Sequence, residues 1–264
     1  MTRIAASVGR RAAVFAGTVI ALLVVWQVLL AVTGISPFIA KSPIDVWSYL
    51  WAVPDAAANR ALVLDGLAVT AHDAGIGYVA GLGGAAVIST LFALFPALAT
   101  AFMPVAMVLR TFPLVALTPL IVLVFGRGDA GLAAIGFIVV FFSALVTISF
   151  GIAGASPQAL DVVSVFGGRR WAQIWKVGLP SAVPALFTAA RLAIPQSLSA
   201  ALIAEWLITG EGAGSQLMRA AGTSQYAALW ATATVFILAT TVVYTLVTTL
   251  EELVLARFSG PGAP

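Results

Sequence analysis

The chain contains no cysteine and a single histidine, His72. The first absence removes a disulfide framework, thiolate metal ligation and thiol redox chemistry, and the second removes any multi-histidine metal centre. Charge is also scarce. Only 9% of the 264 residues are Asp, Glu, Lys or Arg, against roughly 25% in an ordinary soluble domain. The formal net charge of +3 comes from thirteen scattered basic residues, which form no patch of the kind that binds nucleic acid. No Gly-x-x-x-x-Gly-Lys-Ser/Thr phosphate loop occurs, so the usual ATP-hydrolysing site is missing from this chain. With no metal-ligand cluster and no cofactor motif, an intramembrane enzyme is remote, and the expected catalytic, cofactor and metal sites are none.

What is present is apolar sequence in long blocks. Hydrophobic residues make up 61% of the chain, and they do not alternate, which points to membrane helices. A basic leader with Arg3, Arg10 and Arg11 precedes an uncharged run over 12–33. A run of roughly 20 residues crosses a hydrocarbon core about 30 Å thick. A signal peptide is the rival reading of this run, but further spans follow, and a retained first helix is preferred. The polar stretch 34–65 contains Ser42-Pro43, a helix start, followed by Trp47, Tyr49 and Trp51, aromatics suited to a membrane interface. A second span over 66–95 is rich in glycine, which lets helices approach closely in lipid. Residues 96–104 read as a tight connection. A third span reaches 125, with Pro104, Pro113 and Pro119 in it or at its edge, where proline kinks a helix. The turn 126–129, a fourth span over 130–152, a fifth over 181–208, a Gly-rich loop over 209–226, a sixth span over 227–249 and a polar tail over 251–264 complete the chain. The fold class is therefore an all-α membrane protein with about six transmembrane helices, in one domain over 1–264 whose core spans cover 66–249.

Six spans place both termini on one side. That side holds Arg3, Arg10, Arg11, Arg169, Arg170, Lys176 and Arg257, and the other Lys41, Arg60, Arg127 and Arg219. The excess of basic residues makes the first side cytoplasmic.

One segment interrupts the apolar pattern. Residues 156–180 read SPQALDVVSVFGGRRWAQIWKVGLP and carry Asp161, Arg169, Arg170 and Lys176. Ser156-Pro157 is a helix start, with the serine hydroxyl as cap. Gly167-Gly168 ends that helix. A second short helix then runs to about 177, with Trp171, Ile174 and Trp175 on one face and Arg169, Gln173 and Lys176 on another. Pro180 closes the segment. The expectation is two short helices joined at a sharp glycine corner, outside the membrane.

This segment resembles the cytoplasmic "EAA" loop of permease subunits from binding-protein-dependent ABC importers of type I. The family pattern is Glu-Ala-Ala, three residues, Gly, nine residues, then Ile-x-Leu-Pro. Here Asp161-Val162-Val163 is followed at the same spacing by Gly167 and by Val177-Gly178-Leu179-Pro180. Asp replaces Glu, and Val-Val replaces Ala-Ala. The patterns Leu109-Arg110-Thr111-Phe112-Pro113, Ala116-Leu117-Thr118-Pro119-Leu120, Phe125-Gly126, Arg191-Leu192, and Ala204-Glu205 with Gly212-Ala213-Gly214 are similar to the sulfonate, taurine and nitrate permease group. The resemblance implies a permease subunit in the cytoplasmic (inner) membrane of a prokaryote, surrounded by lipid. It implies two copies of an ABC ATPase subunit, a second permease subunit as a homodimer, and an extracytoplasmic substrate-binding protein that delivers a sulfonate-, taurine-, nitrate- or vitamin-precursor-like solute. Residues Asp161, Val162, Val163, Phe166, Gly167, Gly168, Leu179 and Pro180 are then expected to couple the permease to the ATPase, with Phe166 as the docking knob. A self-contained secondary transporter driven by an ion gradient is the alternative, although it would gain from an inverted internal repeat that is not visible.

Three charged residues in apolar surroundings are candidates for the substrate pathway: Arg110, Arg191 and Glu205. A charge in lipid usually faces protein or water, or snorkels to an interface. The arginines are therefore read either as anion contacts or as partners of Glu205 or Asp73. Glu205 is read as part of an outer gate or of the surface met by the binding protein, or as a structural ion pair. His72 and Asp73 are read as an interfacial pair rather than a proton relay.

Overall fold

The computed structural model describes residues 2–109 and 111–258, with the side chains of 17, 19–109 and 111–254. Twelve α-helices follow one another among the described residues: α1 (Thr2–Thr33), α2 (Pro43–Trp47), α3 (Ala56–Leu94), α4 (Pro96–Leu109), α5 (Leu114–Phe125), α6 (Asp129–Ala153), α7 (Pro157–Val165), α8 (Arg170–Gln173), α9 (Leu179–Ser181), α10 (Val183–Ala204), α11 (Gly212–Gly222) and α12 (Tyr226–Phe258). Three single π turns extend them, Ser48–Ala52 after α2, Ile174–Gly178 after α8 and Glu205–Thr209 after α10.

Among the described residues, four helices are long and apolar enough to cross a membrane: Ala56–Leu94, Asp129–Ala153, Val183–Thr209 and Tyr226–Val254. Helices α4 and α5, at 109° to each other, add a fifth only where such a bent pair counts as one span. The run expected over 12–33 lies in α1, whose described apolar part is the shorter Val19–Thr33.

Several boundaries differ from the sequence expectation. The second span begins at Ala56, not 66, and its polar first turns are kept helical by side chains that bond the preceding π turn. Asn59 Nδ2 donates to the Tyr49 carbonyl at 2.9 Å and Arg60 Nη1 to the Leu50 carbonyl at 2.6 Å. The expected connection 96–104 is helical, because Pro96 stands first in α4, where its missing N–H costs nothing. The break comes later, ahead of Pro113, which disfavours a helical conformation in the residue before it. The Gly-rich loop contains α11, and the polar tail continues α12 to Phe258.

The chain forms two compact units. Residues 1–64 and 216–235 make the first, and 65–215 and 236–264 the second. In the first, α2 opens with a reciprocal cap: the Ser42 side chain accepts from the Asp45 amide and the Asp45 side chain accepts from the Ser42 amide at 2.8 Å. That amide, helped by the Ser42 hydroxyl, holds the Asp45 carboxyl below the usual carboxylate range. Val46, Leu50, Val63 and Ala231 form the core. Trp26 stacks on Trp230 at 5.3 Å, and Trp230 Nε1 donates to the Ile39 carbonyl. Trp47 and Trp51, both exposed, stack at 4.6 Å, as interfacial aromatics would.

The second unit is built around α6. Lipid supplies no hydrophobic drive between helices, so close packing and polar contacts hold them together. A methyl added at Gly77 of α3 would lie 2.6 Å from Gly136 Cα of α6, and one at Gly81 would lie 2.6 Å from Val140 Cβ. Ser89 Oγ donates to the Leu145 carbonyl and Ser149 Oγ to Ser89 Oγ, tying the same two helices. Against α10, Gly151 of α6 leaves no room beside Ala185, and a row of buried alanines, among them Ala189, Ala193 and Ala200, keeps the contact close. The core centres on Leu145, Ile148 and Ile152, and also takes in Ile174 from the segment after α8.

The glycine crossing makes a matched prediction. Gly77→Ala is expected to lower stability in mild detergent by about 1–3 kcal/mol, the usual range for overpacking. Gly83→Ala, where an added methyl meets nothing within 4 Å, is expected to leave the thermal midpoint unchanged. Equal midpoints for the two variants would refute the close α3–α6 crossing.

Candidate functional site: a helical corner and its anchors

The segment 156–180 forms the two expected helices and the expected corner. Ser156 precedes α7, but its hydroxyl does not cap the helix. It donates to Gln158 Oε1 at 2.8 Å. Phe166 ends the helix, and Gly167 then turns at φ +77°, a conformation that favours glycine. Gly168 packs directly on Val163, whose carbonyl accepts from its amide at 2.8 Å, so a side chain here would collide with α7.

The two helices are held to each other and to the spans by polar side chains. Gln173 Nε2 donates to Ser164 Oγ at 2.7 Å and to the Leu160 carbonyl at 3.3 Å, bridging α8 and α7. Arg170 Nε donates to the Ala93 carbonyl at 2.8 Å, satisfying an orphan acceptor at the end of α3. Ile174 is buried in the core, while Trp171 and Trp175 are exposed. Pro180 does not close the segment. The π turn Ile174–Gly178 leads directly into α9, where Pro180 occupies one of the first positions, and α10 follows within a few residues. Residues 170–181, beyond the corner, are thus a nearly continuous helical lead into α10.

Its outer surface is apolar. Phe166 is 87% exposed and Val165 83%. Val162 joins them, while Asp161 lies on the same short helix. An apolar tip on a rigid polar-anchored corner is a surface built to be covered.

The other candidates sit elsewhere. Arg110 lies outside the described residues. Arg191 Nη1 pairs with Glu251 Oε2 at 2.9 Å, so its partner is neither Glu205 nor Asp73. Glu205 is fully buried, and among the described residues no ion pair joins it to a cation. Its Oε2 accepts from the Gly214 amide at 2.8 Å and lies 3.0 Å from Thr70 Oγ1, which in turn accepts from the Ala213 amide. Ser215 Oγ donates to the Glu205 carbonyl at 2.7 Å. The carboxylate therefore caps α11 from a distance in sequence, against that helix's positive end. Gly212, at φ +76°, sits against the Glu205 carboxylate, where a side chain would collide. His72 Nδ1 and Asp73 Oδ1 are 3.1 Å apart, the histidine exposed and the aspartate buried.

Residues 75–260 match the family described as "Binding-protein-dependent transport system inner membrane component". The chain belongs to that family. It is a permease, a multi-pass transport subunit of the ABC importer class. Among its relatives is the formylaminopyrimidine transport permease protein ThiX of Halalkalibacterium halodurans, 24% identical over 73% of this chain and 75% of that one. Another is the riboflavin transport system permease protein RibX of Chloroflexus aurantiacus, 26% identical over 89% of this chain and 87% of that one. The putative aliphatic sulfonates transport permease protein SsuC of Bacillus subtilis is 25% identical over 77% and 72%. A solved structure titled as an amino acid ABC transporter with histidines shares the fold, with a TM-score of 0.59 over 76% of this chain and 96% of that one at 16% identity.

Sequence reasoning missed two anchors of the permease. Gln173 was visible only as a polar residue on a helix face. The Glu205 cap had a faint signal, a carboxylate followed after six residues by Gly-Ala-Gly-Ser. Glu205→Ala would leave the buried Gly214 amide without its acceptor, at a cost of about 1–3 kcal/mol. The expected result is faster hydrogen exchange of the first-turn amides of α11, while α6 amides stay protected. Unchanged exchange at Ala213 and Gly214 would show that the carboxylate does not hold this helix.

Proposed function

We propose that two copies of this chain form the pore of an ATP-driven importer, and that the corner at 156–180 is its coupling site. Two ATPase subunits would cover the corner from the cytoplasm, and an extracytoplasmic binding protein would deliver the solute from the other side. The chain would act as one permease domain in the cytoplasmic (inner) membrane of a prokaryote, with both termini cytoplasmic. The observation that carries this reading is the exposure of Phe166 at the tip of a corner fixed from behind by Ile174, Gln173 and Arg170. Asp161, Val162 and Val163 lie on the first coupling helix. Gly167 and Gly168 shape the corner, and Leu179 and Pro180 join it to α10.

The geometry suits a lever. A partner that closes on Phe166 pushes on a segment continuous with α10 and packed on the end of α6, where Gly178 faces Ile152. ATP hydrolysis by the partner would thus reach the spans without catalysis by this chain. The solute is small: relatives are named for sulfonates, riboflavin and a formylaminopyrimidine. Arg191 and Glu205, held by Glu251 and by α11, serve this permease as structural groups.

Phe166→Asp is expected to abolish copurification of the ATPase subunit from native membranes and to remove ATP-dependent uptake, while leaving the thermal midpoint within error, since the side chain touches little of its own chain. Gly167→Val is expected to weaken copurification and lower stability together, because a β-branched residue is strained at positive φ. Full copurification and normal uptake by Phe166→Asp would overturn the coupling assignment.

A further inference from the structure

We propose that Gln196, with Ser143 and Ser199, is the point at which the solute is contacted inside the membrane, and that it takes a solute presenting an N–H or O–H donor. This rests on the reading of the chain as a pore-forming permease. Two cavities, of about 220 and about 390 Å³, share Leu114, Val139 and Gln196 in their walls. Phe142 and Ser143 line the first and Ser199 the second. Gln196 is the central residue of the span Val183–Thr209, and Ser143 lies close to the middle of α6. The polar group thus sits at mid-depth of two spans, where an amide is costly unless it meets protein, water or a ligand.

Its bonding is incomplete in a specific way. Gln196 Nε2 donates to Ser143 Oγ at 3.2 Å, while the carbonyl Oε1 is buried and accepts from no group. The hydroxyls of Thr147, Thr188 and Ser197 on these helices instead close on a nearby backbone carbonyl. A solute with an N–H or O–H group passing between the cavities would satisfy the free oxygen. No described residue in either wall is charged.

The absence of native cysteine makes the test direct. Single substitutions Gln196→Cys, Ser143→Cys and Ser199→Cys are made in the full chain, coexpressed with its partners, and treated in native membrane vesicles with a charged thiosulfonate reagent. Controls are Val79→Cys, on an exposed apolar face of α3, and Ile148→Cys, in the core. A thiol in apolar surroundings has little thiolate, so the pathway positions are expected to react at least about tenfold faster than both controls. The serine replacements change side-chain size little and keep the test valid if Gln196→Cys folds poorly. Rates at all three positions equal to the controls would overturn the pathway assignment. A formylaminopyrimidine is then expected to slow labelling and ethanesulfonate to leave it unchanged. Protection by ethanesulfonate alone, or by neither probe, would overturn the donor-bearing-solute assignment. Labelling is read on this chain alone, so it stands or falls independently of whether the ATPase copurifies.

Discussion

The contact on which the second unit depends is the crossing of Gly77 and Gly136. There the backbones of α3 and α6 approach so closely that one extra methyl would have to displace the other helix. Lipid is as apolar as any leucine, so burial alone gives such helices no reason to pair. Close approach is what lets dispersion and short polar contacts act over a long line. With the crossing in place, Ser89 reaches the Leu145 carbonyl and Phe92 joins the cluster around Ile148. The end of α3 then falls where Arg170 can bond the Ala93 carbonyl. The corner at 156–180 is therefore positioned by packing several turns away.

A second constraint is that polar groups in an apolar medium must find partners within the protein. The threonines of α12 do so locally: Thr240, Thr241, Thr245, Thr248 and Thr249 each donate to the carbonyl four residues earlier. Glu205 does so over a long loop, by accepting from the first turn of α11. This arrangement needs no cation, because the helix end and its free amides supply the complementary field. It also explains why the chain leaves the regular helix at Glu205–Thr209. The π turn closes with the Gly210 amide on the Glu205 carbonyl at 2.8 Å, and the following glycines leave room for the carboxylate.

These two constraints also mark what was legible in the sequence. The spans and the Asp161-to-Pro180 spacing are properties of contiguous residues, so hydropathy and motif spacing found them. The glycine corner was visible because Gly167 needs a conformation that few other residues adopt. Prolines misled the boundaries, since Pro96 and Pro180 were read as breaks although each stands at a helix start. Helix α11 was read as loop because glycine is a poor helix former, and its stabiliser lies on another helix. The partner of Arg191 is sixty residues away, beyond any local pattern. The unsatisfied amide of Gln196 was invisible for the same reason: its significance lies in which neighbours fail to reach it.

A pore has to touch its solute without holding it. A conduction site must be favourable enough to enter and weak enough to leave. A paired arginine and carboxylate at mid-depth would bind an ion strongly in a poorly screened medium, and would tend to trap it. A single amide carbonyl offers a hydrogen bond worth about 0.5–1.5 kcal/mol net, which orders a solute briefly and releases it. On the proposed reading, the permease needs rigidity at the corner held by Arg170 and Gln173 and modest chemistry where the solute passes. Two of its charges are tied within the chain, Arg191 Nη1 to Glu251 and Glu205 Oε2 to α11, although Arg191 Nε and Glu205 Oε1 stay buried without a partner.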